Sequence, residues 1–161
     1  MRPIDLVLYN ESFMHQLQDY QFGTSPFSIP PLHAIKSLNA HGYAHPIMVL
    51  NEEKVVGFFI LEELPRQSIY GIYEHALLFR AFSLDIRFRG QGLAKRIMDA
   101  LVSFAQTRFP DRTTIVLTVN TANQTAIGLY RHMGYSDTGR TFIGKKGKQH
   151  VFELWINQKE G

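Results

Sequence analysis

Residues 85–94, Asp-Ile-Arg-Phe-Arg-Gly-Gln-Gly-Leu-Ala, constrain the fold more than any other stretch of the chain. They join an apolar run at residues 76–84, long enough for a buried strand, to a segment of helical periodicity. Leu93, Ile97, Leu101 and Ala105 recur every four residues, and Ala94, Met98 and Val102 fill the adjacent stripe. A strand, a turn with two glycines and two arginines, and a helix start form a phosphate-binding arrangement. The first N–H groups of a helix have no intrahelical acceptor, and glycine lets an anion approach the main chain closely. On its own the stretch suits a nucleotide as well as any other pyrophosphate.

The remaining chain supplies the elements around this turn. At 161 residues, 45% hydrophobic and 19% charged, it reads as a single domain over 1–161 with ample material for one core. Residues 4–8 read as a first strand and residues 13–20 as a short helix capped by Asn10 or Ser12. Pro30 and Pro31 suit the first turn of a second helix that Gly42 would end. Two strands around a turn at residues 51–54 form a hairpin, and residues 64–73 a connector. After the long helix come a β-branched strand at 113–119, a helix capped by Asn123 and ended by Gly134, and two last strands around a basic turn at 144–148. The expected order is β-α-α-β-β-β-α-β-α-β-β.

Composition removes several classes. The absence of cysteine excludes disulfides, thiolate zinc sites and a cysteine nucleophile. His41 and His45 are four apart, but Gly42 and Pro46 oppose a helix there and no metal is expected. The net charge of +3 suits an anionic cofactor and is too small and dispersed for nucleic acid. No signal segment or membrane-length apolar run is present, so the reading is a cytoplasmic protein with no membrane partner.

A second pattern lies about thirty residues beyond the first. Asn123 and Tyr130 are seven apart, about two helical turns, with the small Ala126 between them on the same face. Spacing alone is satisfied by a cap and a packed phenol. Together, however, the two patterns resemble those of the GNAT superfamily of acyl-CoA-dependent N-acyltransferases. The Arg/Gln-x-x-Gly-x-Gly/Ala signature of that family is met in two registers, Arg87-x-x-Gly90-x-Gly92 and Arg89-x-x-Gly92-x-Ala94. Its later Asn-x-x-Ala-x-x-x-Tyr-x-x-x-Gly-aromatic pattern is met by Asn123, Ala126, Tyr130, Gly134 and Tyr135.

The resemblance implies an α/β fold of the GNAT kind: a central, mixed but mostly antiparallel sheet of six to seven strands flanked by about four helices. It implies that the pantetheine arm of acetyl-CoA lies along the fourth strand at Leu84, Asp85 and Ile86, with the Leu84 N–H polarising the thioester. The pyrophosphate would lie on the turn through Arg89, Gly90, Gln91, Gly92, Leu93 and Ala94, with Arg87 adding charge. Asn123 would contact the cofactor arm, and Tyr130 would be the general acid to the CoA thiolate. Many members carry a glutamate base within the fourth strand, but residues 76–84 hold no carboxylate. Glu62, Glu63, Glu74 and His75 are the nearby general-base candidates, of which Glu63 and Glu74 are carried forward. The resulting expectation is an N-acetyltransferase moving an acetyl group from acetyl-CoA to an amine acceptor by direct attack in a ternary complex. Residues 26–35, 64–73 and 144–148 would select the amine. The alternative is an acyl-CoA-binding regulatory module without catalysis. The sequence leaves acetyl against longer acyl groups open, as it does a homodimer.

Overall fold

The computed structural model describes residues 3–38 and 42–157. Strand β1 (Asp5–Leu8) leads through a 3-10 turn (Glu11–Phe13) into helix α1 (Met14–Asp19), and α2 (Pro31–Lys36) follows. The 3-10 turn begins where the Asn10 side chain accepts the Ser12 N–H, as expected of a cap. Helix α2 starts on Pro31 and ends at Lys36, well before Gly42; residues 39–41, which include His41, lie outside the described residues.

Strands β2 (Ala44–Asn51) and β3 (Lys54–Glu63) form the expected hairpin, with a tighter turn than the sequence indicates. Asn51 pairs with Lys54, so only Glu52 and Glu53 make the loop, both at positive φ, 54° and 67°. Two left-handed residues give a turn whose twist matches that of the strands. The connector that follows contains a small hairpin, β4 (Gln67–Ser68) with β5 (Gly71–Ile72). Next come β6 (Ala76–Leu84), a 3-10 turn (Ile86–Phe88), α3 (Leu93–Arg108), β7 (Thr114–Asn120), α4 (Gln124–His132), β8 (Ser136–Gly144) and β9 (Gly147–Trp155). Apart from the small hairpin, the elements follow the expected order.

The main sheet has seven strands in the order β1-β2-β3-β6-β7-β9-β8. All neighbours are antiparallel except β6 and β7. Both faces are covered, which explains why β3 and β6 read as nearly continuous apolar runs. Phe59, Leu61, Leu77, Phe79, Ile115 and Leu117 pack under α3 and α4. On the other face, Met48, Phe58 and Ile60 pack against Leu17 of α1 and Ala34 of α2. Leu93, Ile97, Met98, Leu101 and Ala105, the stripe read from the sequence, are the buried residues of α3.

Two departures from regular pairing shape the centre of the sheet. The parallel pairing of β6 with β7 runs only from Ala76–Thr114 to Phe79–Leu117. Beyond it, β6 stays with β3 as far as Leu84, and β7 stays with β9 as far as Asn120. The two strands therefore part. At the parting point β6 carries a bulge: Ile60 faces Arg80 and Phe58 faces Ser83, leaving Ala81 and Phe82 opposite Phe59 alone. Ala81 takes φ of 57°, the left-handed conformation such an extra residue can require.

Candidate active site

The gap between the parted strands opens into a cleft of about 610 Å³. One wall is the free edge of β6, residues 80–84; the other is the end of β7 with Asn123, Ala126 and Tyr130 of α4. The loop at residues 24–29 and Lys146 of the β8–β9 turn close the remaining side. That volume is ordinary for a small-molecule site.

Beyond Phe79 the backbone of β6 has no strand partner on the side of this gap. The Asp85 N–H donates to the Val56 carbonyl at 2.9 Å, so residue 85 belongs to a hydrogen-bonded pair with β3. In an antiparallel ladder the next residue back points its N–H and C=O the other way. Leu84, opposite Gly57, thus directs its amide into the cleft.

At the end of β6 the glycine turn takes the conformation that its sequence requires. Gly90 and Gly92 have φ of 78° and 74°, and a Cβ on either would meet no atom within 4 Å. Glycine is therefore demanded there by the main chain and not by crowding. Gly92 precedes α3 with no side-chain cap. The N–H groups of Leu93 and Ala94 begin the helix without intrahelical acceptors, facing the exposed turn of Gly90 and Gln91. Leu93 itself is buried beneath, anchoring the helix start. Arg89 lines the cleft and donates to the Phe22 carbonyl at 3.2 Å.

Asp85 and Arg87 are placed differently from the expectation. The Asp85 carboxylate is fully buried and accepts from the Gln21 N–H (3.1 Å), the Arg87 N–H (2.9 Å), Arg87 Nε (2.9 Å) and Arg87 Nη2 (2.6 Å). Arg87 Nη2 also reaches Asp19 at 3.3 Å. The guanidinium is a brace that ties α1 to the glycine turn, and it does not line the cleft. Burial opposes the charge on Asp85, but the hydrogen bonds from Arg87 and Gln21 outweigh it and lower its pKa from the usual carboxylate value. Ile86, in the 3-10 turn, donates its N–H to the Gln21 carbonyl at 2.8 Å and completes the same junction.

Asn123 combines two roles that the sequence left as alternatives. Its Oδ1 accepts the Ala126 N–H at 3.2 Å as a helix cap, and the residue also lines the cleft. Tyr130 is likewise both core and wall: 8% exposed, against Tyr135 at a ring separation of 6.0 Å, and lining the cleft. Its hydroxyl has no hydrogen-bond partner among the described residues, and burial pushes its pKa up to about 12. The phenol therefore holds its proton at neutral pH.

Neither Glu63 nor Glu74 is brought to the cleft. Glu63, opposite Leu77 at the start of β6, is bound by His45 at 2.9 Å and Arg112 at 3.1 Å. Glu74 pairs with Arg66 at 2.7 Å on the surface. Both belong to the far end of β6, the end opposite Leu84. Among the described residues no group of three or more His, Asp or Glu could hold a metal, and no helix is long and apolar enough to cross a membrane. Among the wall residues that motif spacing overlooks are Arg80 and the Ala81–Phe82 bulge. A lone charge in the middle of an apolar strand was the available signal for Arg80.

The described residues form a mixed, mostly antiparallel seven-stranded sheet that parts at its centre and is flanked by four helices, a fold of the GNAT kind. Residues 9–135 match the acetyltransferase (GNAT) family, and the chain belongs to that family as an N-acetyltransferase. It is 31% identical over 158 residues to the uncharacterized N-acetyltransferase YbbJ of Bacillus subtilis (strain 168), covering 96% of this chain and 99% of the relative. Among the solved structures that share the fold are two bound to coenzyme A. The spermidine N-acetyltransferase from Vibrio cholerae in complex with CoA and spermine superposes with a TM-score of 0.68 at 16% identity, over 95% of each chain. AAC(6')-Ib in complex with ribostamycin and coenzyme A superposes with a TM-score of 0.69 at 14% identity, over 96% of this chain and 94% of the other.

Proposed function

We propose that the protein transfers an acetyl group from acetyl-CoA to an amine by direct attack within a ternary complex, with Tyr130 as general acid. The observation that carries the reading is the position of Tyr130. A buried, protonated phenol without a partner among the described residues lines the same gap as the free edge of β6. CoA bound in two proteins of like fold supports the donor class.

In this reading the pyrophosphate rests on the N–H groups of the glycine turn and the start of α3, with Arg89 beside it. Asp85, Ile86 and Arg87 act through the main chain they hold in place, and their side chains do not touch the cofactor. The pantetheine arm enters the gap between β6 and β7, where Asn123 offers its free amide N–H. The Leu84 N–H polarises the thioester carbonyl and receives the oxyanion as the amine attacks. The C–N bond forms and the C–S bond breaks. Tyr130 first hydrogen-bonds the departing sulfur, because an acid of pKa about 12 is weaker than an ordinary thiol. It yields its proton as the one shed by the amine is returned to it, so the products are an amide and a neutral thiol. That returning proton travels from the amine through solvent in the open cleft, and the ion-paired carboxylates Glu63 and Glu74 take no part.

The test is thiol release from acetyl-CoA with a panel of amines. Tyr130→Phe is expected to lower kcat by about a hundredfold or more while changing the acetyl-CoA KM little, the usual scale of a lost general acid. Tight CoA binding with no turnover, or turnover indifferent to Tyr130→Phe, would overturn the reading.

A further inference from the structure

Among the described residues, the charged ones that line the cleft are all cationic: Arg80, Arg89 and Lys146. Among the described residues no carboxylate and no histidine contributes to its wall. Arg89 sits beside the glycine turn and is accounted for by the cofactor's pyrophosphate. Arg80 and Lys146 are not. Arg80 lies on the far side of Leu84 from that turn, past the bulge, and so beyond the point at which the thioester is placed. Lys146 reaches across from the β8–β9 turn to the Ser28 carbonyl at 2.7 Å, and Ser28 Oγ in turn approaches the Phe82 carbonyl at 3.4 Å. The two cations thus belong to the half of the cleft that the acyl acceptor occupies.

We propose that the acceptor is an amine that itself bears an anion, a carboxylate or a phosphate, held by Arg80 and Lys146. This deepens the acetyl-transfer reading and rests on it. Glu62 holds Arg80 through a single contact, Nη2 to Oε1 at 3.0 Å, and fixes the guanidinium while leaving most of its five donors unused. Lys146 spends one donor on a neutral carbonyl and has no carboxylate partner among the described residues. Two cations on the wall of one cleft, Lys146 without a carboxylate partner among the described residues, offer donors to an anion. Phe82 and Ile29 supply an apolar wall beside them, suited to the carbon skeleton between amine and anion. A polycationic acceptor would instead bring further ammonium groups against two like charges, with no wall carboxylate to receive them. Spermine, seen with the Vibrio cholerae enzyme, is therefore a poor fit to this cleft.

Matched amines differing only in the anion test the proposal with the full chain, acetyl-CoA and thiol detection. L-Phenylalanine against phenethylamine forms the carboxylate arm, phosphoethanolamine against ethanolamine the phosphate arm, and spermine the cationic control. The anion-bearing member of at least one arm is expected to show a kcat/KM at least about tenfold higher than its partner, the scale of one charge-assisted hydrogen bond. The responding arm identifies the anion. Lys146→Glu, on an exposed turn, and Arg80→Gln are each expected to erase that preference through the acceptor KM, with the acetyl-CoA KM unchanged. Preference for spermine or for the uncharged partners would overturn the inference alone. So would variants that raise only the acetyl-CoA KM. Turnover of none of these amines would overturn it together with the acetyl-transfer reading, and CoA binding separates that outcome from a misfolded protein.

Discussion

Asp85 shows how one residue of a motif can serve the site without touching what the site binds. Its carboxylate gathers four hydrogen bonds at zero exposure and joins the α1 loop, the end of β6 and the glycine turn. Asparagine in its place removes the charge, keeps one acceptor oxygen and turns an NH2 group against the Arg87 and Gln21 donors that the other oxygen served. We therefore expect Asp85→Asn to cost on the order of 2–3 kcal/mol in denaturant unfolding at pH 7. Folding lowers the Asp85 pKa below its ordinary 3.8, so the stabilisation is complete above that value. It is lost as pH falls through the lower folded value. The stability gap between wild type and Asp85→Asn should accordingly be constant near neutrality and close in strongly acidic solution. A gap that widened towards low pH would contradict this account of the charge. Arg87, matched by the motif, is spent in the same cluster, whereas Arg89 and Arg80 face the cleft. Identical residue types two positions apart thus have different fates, because only the packed chain decides which side chain meets the buried carboxylate.

The turn into α3 and the parting of β6 from β7 are properties of elements. Gly92 sits at φ of 74° with open space around a would-be Cβ, so Gly92→Ala is a test of conformation without a clash. A left-handed alanine costs about 1–2 kcal/mol. The helix start would relieve it by turning its N–H groups away from the bound anion. A rise of several-fold in the acetyl-CoA KM, with the acceptor KM unaffected, is the expected outcome; an unchanged acetyl-CoA KM would remove the turn from the cofactor site. Helix α3 was legible from its four-residue stripe, and α4 from its Asn cap and Gly exit, because both are set by neighbours within a turn or two. The β4–β5 hairpin was not, since strands of two residues leave no periodic pattern, and the turn at Glu52 and Glu53 was read without its tightness, since it lacks the glycine that such turns usually show.

At the scale of the molecule, the cleft exists because seven strands stay in one sheet while its two central strands separate. A ligand that bridges the parted strands binds the folded chain alone and must stabilise it. Coenzyme A at a hundred times its Kd should add about 2.7 kcal/mol, a rise in Tm of roughly 5–11 °C for a chain of this size. Thermal unfolding with and without CoA measures it, and no shift at saturating CoA would deny the cofactor its place in the gap. The amino-acid sequence by itself determined the element order, the glycine turn with its helix start, and the paired Asn123 and Tyr130. Each depends on spacing within a strand end or a helical turn, which a linear pattern records. Tertiary structure alone decided that β9 lies between β7 and β8, that β6 bulges at Ala81, and that Glu63 and Glu74 are held in ion pairs far from Leu84. It also decided that Arg80 and Lys146, 66 positions apart, line one cleft. These are pairings between distant segments, set by the competition of many side chains for one interior, and no local spacing encodes them.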